Sequence, residues 1–205
     1  RISEAIGFDH TKLVFSNQIH ETRIHKVTKE DCGKVMKDMD GLATNEQGIP
    51  LYTGYADCVP LFFYDPVEKV AALAHSGWRG TVGKIGKVTV EKMEEEFGCD
   101  PADILGAVGP SICQDCYEVS EDVIKKFREN YDENLWPEIF YQKENGKYQL
   151  NLWKANESVF LESGILPEHI AVTNVCTHCN PDILFSHRTT GNERGTLSAF
   201  LALKK

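Results

Sequence analysis

Three short polar segments interrupt runs that packing alone would keep apolar, and each carries residues able to do chemistry. They are Asn17-Gln18-Ile19-His20, Tyr55-Ala56-Asp57-Cys58-Val59-Pro60 and His75-Ser76-Gly77-Trp78-Arg79-Gly80. Two imidazoles and a thiolate, from His20, His75 and Cys58, are ligand types of a catalytic Zn2+, which keeps its fourth tetrahedral position for water or substrate. Singly, each has a packing explanation: a histidine at a strand end can be an ordinary core or surface residue, and a buried cysteine a small hydrophobe. Together they make the stronger case. Spacing alone does not define the site, because strand ends distant in sequence would have to gather the ligands.

The third segment also offers an anion site. A Gly-containing turn leading into a helix leaves backbone N–H groups unpaired at the positive end of the helix dipole. Arg79 at that turn adds a bidentate donor suited to phosphate. A second cationic, hydroxyl-bearing loop lies at Phe185-Ser186-His187-Arg188, followed by Gly191 and Arg194. Alternatively, these arginines pair with surface carboxylates, which the chain has in excess. Residue types alone leave the two explanations level.

The elements that position these segments follow from hydropathy periodicity. Strands are expected over Lys12–Ser16, Arg23–Thr28, Leu51–Tyr64, Val70–His75, Ile104–Val108, His169–Val175 and Thr196–Leu203. A helix over Thr81–Phe97 places Val82, Ile85, Gly86, Thr89, Met93 and Phe97 on one face and ends at Gly98. Ser120 can cap a helix running towards Asn130, with Glu121 and Asp122 well placed for its dipole. Leu152–Ser163 reads as an amphipathic helix closed by Gly164. The expected fold is α/β (α+β): one domain over residues 1–205, a layered α/β sandwich with a mixed sheet.

Composition bounds the function. The 205 residues carry 22 basic and 31 acidic side chains, a net charge of −9, and no basic stripe, so nucleic acid is not an expected partner. No apolar run approaches the roughly 20 residues of a spanning helix, so no membrane is expected either. Ten Phe, seven Tyr and three Trp supply enough core material to exclude disorder. Arg1 to Gly7 reads as the last turns of a helix, from which we expect a natural segment preceding Arg1.

Seven cysteines, an odd number without a secretory signal, predict reduced thiols and a cytoplasmic location. Cys113/Cys116 and Cys176/Cys179 form two Cys-x-x-Cys pairs that invite a four-thiolate zinc ribbon. Roughly 60 residues separate them, well beyond ribbon spacing. The expectation is therefore that these four are incidental core thiols.

In order along the chain, Asn17-Gln-Ile-His20, Ala56-Asp-Cys58-Val-Pro60, His75-Ser-Gly-Trp-Arg-Gly80, Gly109-Pro-Ser-Ile112, Cys116-Tyr-Glu-Val119 and Phe185-Ser-His-Arg188 resemble the laccase-domain family. Its members have been called multicopper polyphenol oxidases. They are also described as zinc-dependent purine nucleoside phosphorylases with adenosine deaminase and methylthioadenosine phosphorylase activity. The resemblance implies that His20, Cys58 and His75 bind metal, Zn2+ with Cu2+ as the alternative. It implies an enzyme acting on adenosine, inosine and related nucleosides with phosphate, and a homodimer is the assembly considered. Asp57 and Arg79 are then the catalytic candidates, Asp57 as a proton-transfer residue or as a support for its neighbouring ligand. Asn17, Gln18, Arg79, Ser186 and Arg188 are the expected substrate and phosphate contacts. The chain departs from the family pattern at Glu21 (often Gly), Ser76 (usually Ala) and Thr189-Thr190-Gly191 (frequently Arg-Asp-Gly).

Three alternatives compete with that reading. A copper oxidase of phenols needs several metal centres, for which seven histidines are few. A thiol hydrolase could pair Cys58 with His75. A metal-stabilised scaffold would ordinarily show four protein ligands rather than three.

Overall fold

Val70 to Ser76 is buried along its whole length, and the rest of the architecture is arranged around that strand. A computed structural model describes residues 2–204. The main sheet has six strands, in spatial order β12 (Ile170–Val172), β8 (Leu105–Val108), β6 (Val59–Asp65), β7 (Val70–Ser76), β4 (Gly41–Thr44) and β2 (Ile24–Lys26). The two outer pairs, β12–β8 and β4–β2, are parallel, and the inner pairings are antiparallel. A second sheet runs β13 (Leu197–Leu201), β5 (Leu51–Tyr55), β1 (Val14–Asn17) and β3 (Val35–Lys37). A small antiparallel sheet joins β10 (Phe140–Gln142), β11 (Tyr148–Leu150) and β9 (Glu118–Val119).

Two-residue alternation divides the core into two layers. Ala72, Ala74, Leu61, Phe63 and Ala43 pack under the helices α3 (Ile85–Phe97) and α6 (Leu152–Glu162). Leu73 and Leu42 point the other way, onto Leu51, Tyr55 and Val14 of the second sheet. With both faces covered, β7 reads Val-Ala-Ala-Leu-Ala and shows no polar alternation. Phe160 of α6 lies edge-on to Phe63 at 5.0 Å between ring centroids. It also fills the space over Gly106, where a Cβ would come within 2.8 Å of its ring. The layered α/β class with mixed sheets is the one the sequence predicts.

The boundaries differ instructively. The expected single helix from Thr81 is two: α2 (Trp78–Val82) and α3, separated at Gly83 and Lys84, where Lys84 takes a left-handed φ of 55°. A Cβ on Gly83 would lie 2.7 Å from Thr22, so the chain turns where a side chain has no room. The expected strand Leu51–Tyr64 is broken at residues 56–58, and that break carries Asp57 and Cys58. Ser120 occupies the N-cap of α4 (Glu121–Asn130), but its hydroxyl bonds the Asp122 carboxylate rather than a backbone N–H. The first helix, α1 (Ile2–Ile6), ends at Gly7 with φ 78°, as its residues predict; Arg1 lies outside the described residues. Strands β3, β4, β9, β10 and β11 are not expected from the sequence, being short or lacking alternation.

Phe160→Ala is expected to lower the unfolding free energy by about 3–5 kcal/mol, read from the midpoint of urea unfolding. A loss under about 1 kcal/mol would show that the helix layer does not depend on this contact.

Candidate metal centre and adjoining pocket

His20, Cys58 and His75 bring one ligand atom each to within 4.8 Å of one another. Each comes from a different local device. His75 stands near the end of β7, held by its own main chain, since His75 N–H donates to Asp40 O at 2.7 Å. Cys58 sits in the break between β5 and β6, after Asp57 at a left-handed φ of 78°. His20 follows β1 with φ 64°, also left-handed. Non-glycine residues in this region persist where surrounding bonds hold them.

For His20 the surrounding bonds come from Asp40. Its carboxylate is fully buried and accepts the N–H groups of Ile19 (3.1 Å), His20 (2.9 Å) and Glu21 (2.9 Å). The same carboxylate pairs with His75 Nδ1 at 3.0 Å, leaving Nε2 as the ring's remaining ligand atom. This is the carboxylate–histidine arrangement that orients metal-binding imidazoles. Burial raises the carboxyl's pKa, but the His75 bond and the backbone donors outweigh it, and the net shift is downward. Burial likewise opposes the His75 charge, yet Asp40 and Cys58 together raise that imidazole to about 9. Burial also opposes the Cys58 thiolate, but bonds to His20 and His75 bring the thiol down to about 6.

The space between the three ligands exists because residue 77 is glycine. A Cβ there would lie 3.1 Å from Cys58 Sγ, 3.1 Å from His20 Cδ2 and 3.8 Å from His75 Cε1. Two imidazoles, an activated thiol and a cradle that one methyl group would fill suit a tetrahedral ion with one open position. Among the described residues the other convergent Cys/His set is Cys113, Cys116, Cys176 and Cys179, so the remaining histidines supply no further copper-type centre. The four thiols, expected to be incidental core residues despite their separation in sequence, converge, and Cys179 among them is exposed.

Beside the His20–Cys58–His75 group, sharing His20 and Cys58 with it, lies a pocket of about 290 Å³, lined also by Asp57, Trp78, Arg79, Ile112, Tyr117, Leu152, His187 and Arg188; His75 faces the neighbouring cleft. The Arg79 guanidinium lies 4.4 Å from the Trp78 ring and that of Arg188 lies 5.1 Å from the Tyr117 ring. Arg188 also donates to Glu118 O at 3.0 Å. Arg194 bonds His187 Nδ1 and Gly195 O, so among the described residues neither Arg188 nor Arg194 has the carboxylate partner that surface ion pairing would supply. Helix α2 is only five residues long, so the anion-binding character of this wall rests on Arg79 and Arg188 rather than on a long helix dipole.

The structure separates the other predicted residues by role. Both oxygens of Asp57 are committed, accepting from Thr177 Oγ1 at 2.6 Å and from Arg188 N–H at 2.7 Å. Asp57 therefore fastens the C-terminal loop beside Cys58, which fits a supporting role better than proton transfer. Ser186 is buried and caps the short helix α7 (His187–Thr190) by accepting from Thr189 N–H, so its hydroxyl does not line the pocket. Gln18 pairs its amide with both backbone groups of Gly54, at 2.8 and 2.9 Å. With Asn17 it lines a neighbouring cleft shared with Tyr52, Arg194 and Thr196. Of the departures from the family pattern, Ser76 bonds Asn156 at 2.9 Å and Thr81 at 2.8 Å, tying β7 to α6 and α2. Thr189 bonds His178 Nδ1 at 2.8 Å. Sequence reasoning missed Asp40, since an Asp-Gly step reads as a turn, and gave no role to Tyr117 or His187.

Fold and site together define a mixed α/β protein in which a convergent His/Cys/His group, able to hold a metal ion, adjoins a cationic, aromatic-walled pocket. The chain belongs to the multi-copper polyphenol oxidoreductase laccase family, whose model matches residues 1–204. It is 36% identical over 212 residues to "Purine nucleoside phosphorylase YlmD" of Bacillus subtilis (strain 168), covering 100% of this chain and 75% of the relative. It is 33% identical over 197 residues to "Adenosine deaminase RL5" of an unknown prokaryotic organism, covering 93% of this chain and 74% of that one. The crystal structure of YlmD from Geobacillus stearothermophilus superposes with a TM-score of 0.96 at 34% identity, covering 100% of this chain and 78% of that chain. The family resemblance read from the motifs is thus borne out.

Asp40→Asn is expected to weaken metal binding by about 10–100-fold, measured by competition with a chromogenic chelator; unchanged affinity would deny Asp40 its orienting role. In metal-stripped protein, alkylation of Cys58, followed by mass spectrometry of its peptide, should rise with pH through about 6. A midpoint near the ordinary thiol value of about 8.5 would mean that the imidazoles do not hold the thiolate.

Proposed function

We propose that this chain is a zinc-dependent purine nucleoside phosphorylase, converting adenosine, inosine and related nucleosides plus phosphate into free base and ribose 1-phosphate. The observation that carries this is the juxtaposition of the His20–Cys58–His75 cradle with Arg79 and Arg188 across one small pocket. The activity named for the YlmD relatives supports it. So does the family membership, although its name alone would suggest oxidation of phenols.

In this reading Arg79 and Arg188 bind phosphate from two sides, and charge-assisted bonds aim an oxygen at C1′ of the ribose. A new C1′–O bond forms as the electron pair of the glycosidic bond leaves with the purine. Trp78, Ile112, Tyr117 and Leu152 give the base an apolar berth and exclude water from the reacting centre. Asp57 keeps Arg188 in place by holding its main chain. Asp40 fixes His75 and the turn that presents His20. Zinc, when bound by His20, Cys58 and His75, supplies Lewis acidity towards a substrate oxygen or water. Deamination of adenosine, the activity named for the RL5 relative, is the second reaction this site is read to support. No helix among the described residues is long and apolar enough to cross a membrane. Seven free cysteines support a cytoplasmic setting.

Zinc-loaded protein should release adenine from adenosine only when phosphate is present, with ammonia release reporting deamination in the same mixture. Cys58→Ala should abolish both, and undiminished activity would defeat the metal assignment. Arg188→Ala should raise the KM for phosphate roughly 10–100-fold, as loss of a charged hydrogen bond worth about 1.5–3 kcal/mol implies.

A further inference from the structure

The two Cys-x-x-Cys pairs meet because of strand register. Strands β8 and β12 run parallel, with Gly106 opposite Ile170 and Val108 opposite Val172. Pairing continues beyond the strand ends, where Ser111 bridges Cys176 in parallel, with Ser111 N–H donating to Val175 O and Thr177 N–H to Ser111 O, each at 3.1 Å. Each chain then folds into a tight turn: residues 113–116 around a single 3-10 turn (Gln114–Cys116), and residues 176–179 with Cys179 N–H donating to Cys176 Sγ at 3.4 Å. Cys113 N–H donates to the same sulfur at 3.3 Å. Such N–H···S bonds stabilise a thiolate. The outcome is four sulfurs all within 4.8 Å of one another, Cys116 and Cys179 at 3.4 Å. A tetrahedron of thiolates at the usual Zn–S distance of about 2.3 Å has edges of about 3.8 Å. The two turns are buttressed from outside by Gln149 Nε2 on Asp115 O (2.8 Å) and Asn180 Nδ2 on Cys176 O (2.7 Å).

We propose that Cys113, Cys116, Cys176 and Cys179 hold a second, structural zinc ion that clamps the two segments walling the pocket. Cys116 is followed by Tyr117, whose ring lies beneath Arg188. Cys176 is followed by Thr177, which bonds Asp57, and leads into the loop bearing Arg188. A closed four-thiolate site has no open position for substrate, so this ion stabilises and positions without taking part in turnover. The inference is independent of the reaction assigned to the His20–Cys58–His75 site.

Protein grown with zinc, purified under reducing conditions and exhaustively dialysed should contain two zinc ions per chain by elemental analysis. Cys58→Ala should contain one, and Cys116→Ser with Cys179→Ser should also contain one. Where the double variant fails to fold, the Cys58→Ala protein decides alone. Loaded with Co2+, it should show the tetrahedral visible bands and intense sulfur-to-metal charge transfer of several thiolates. Its remaining ligand cysteines should resist alkylation until a chelator is added. Cys58→Ala protein that retains no zinc, or gives a Co2+ spectrum without thiolate charge transfer, would overturn the proposal. So would recovery of the four cysteines as two disulfides in folded, metal-free protein. None of these readouts involves nucleoside turnover, so the phosphorylase reading stands or falls separately.

Discussion

The buried carboxylate of Asp40 is the interaction on which the convergence of His20 and His75 depends. An ionised carboxylate removed from water costs several kcal/mol unless it is fully compensated. Here the compensation comes from the three consecutive N–H groups of residues 19–21 and the imidazole of His75. The electrostatic need of one anion therefore fixes a turn, a strand end and a ring orientation together. Removing the charge would weaken the three N–H bonds that converge on this carboxylate, and with them the bonds that hold the left-handed conformation of His20.

A different arrangement stiffens the other side of the cradle. Ser76, Thr81 and Asn156 share hydrogen bonds in a fully or nearly fully buried cluster, and Asn156 also reaches Leu152 O at 2.8 Å. This cluster ties α6, with Leu152 at its start, to the junction of β7 and α2. Gly77 lies between the two arrangements, its missing side chain leaving room beside Cys58 Sγ and the two imidazoles. Polar satisfaction below and steric allowance at the centre thus leave a small space with activated ligands around it.

Much of this was legible in the sequence, and the failures have physical causes. Val70 to His75 could be read as a buried strand because an uninterrupted small-apolar run suits a strand covered on both faces. His20, Cys58 and His75 were legible because polar residues had displaced apolar ones where strands end. Asp40 left no comparable trace, since its partners are backbone groups, which have no residue type. The convergence of the four outer cysteines was not legible for a related reason. Distance along the chain says nothing about two segments aligned by parallel pairing, as Ser111 and Cys176 are. Ser186 and Gln18, expected as substrate contacts for their chemistry, also serve as a helix cap and a backbone pairing, roles their residue types alone do not reveal.

The grip of Asp57 on the Arg188 main chain has a consequence for how the C-terminal loop can vary. An amide N–H is present at almost every position whatever the side chain, so an anchor of this kind is blind to residue type and sensitive only to count. Substitutions such as Thr189-Thr190 can accumulate around it without moving the guanidinium of Arg188. Insertion or deletion of one residue between Thr177 and Arg188 would put the wrong amide in the anchor and swing a different side chain over the pocket. The anchor itself is thus indifferent to the neighbouring side chains and sensitive to the length of the loop.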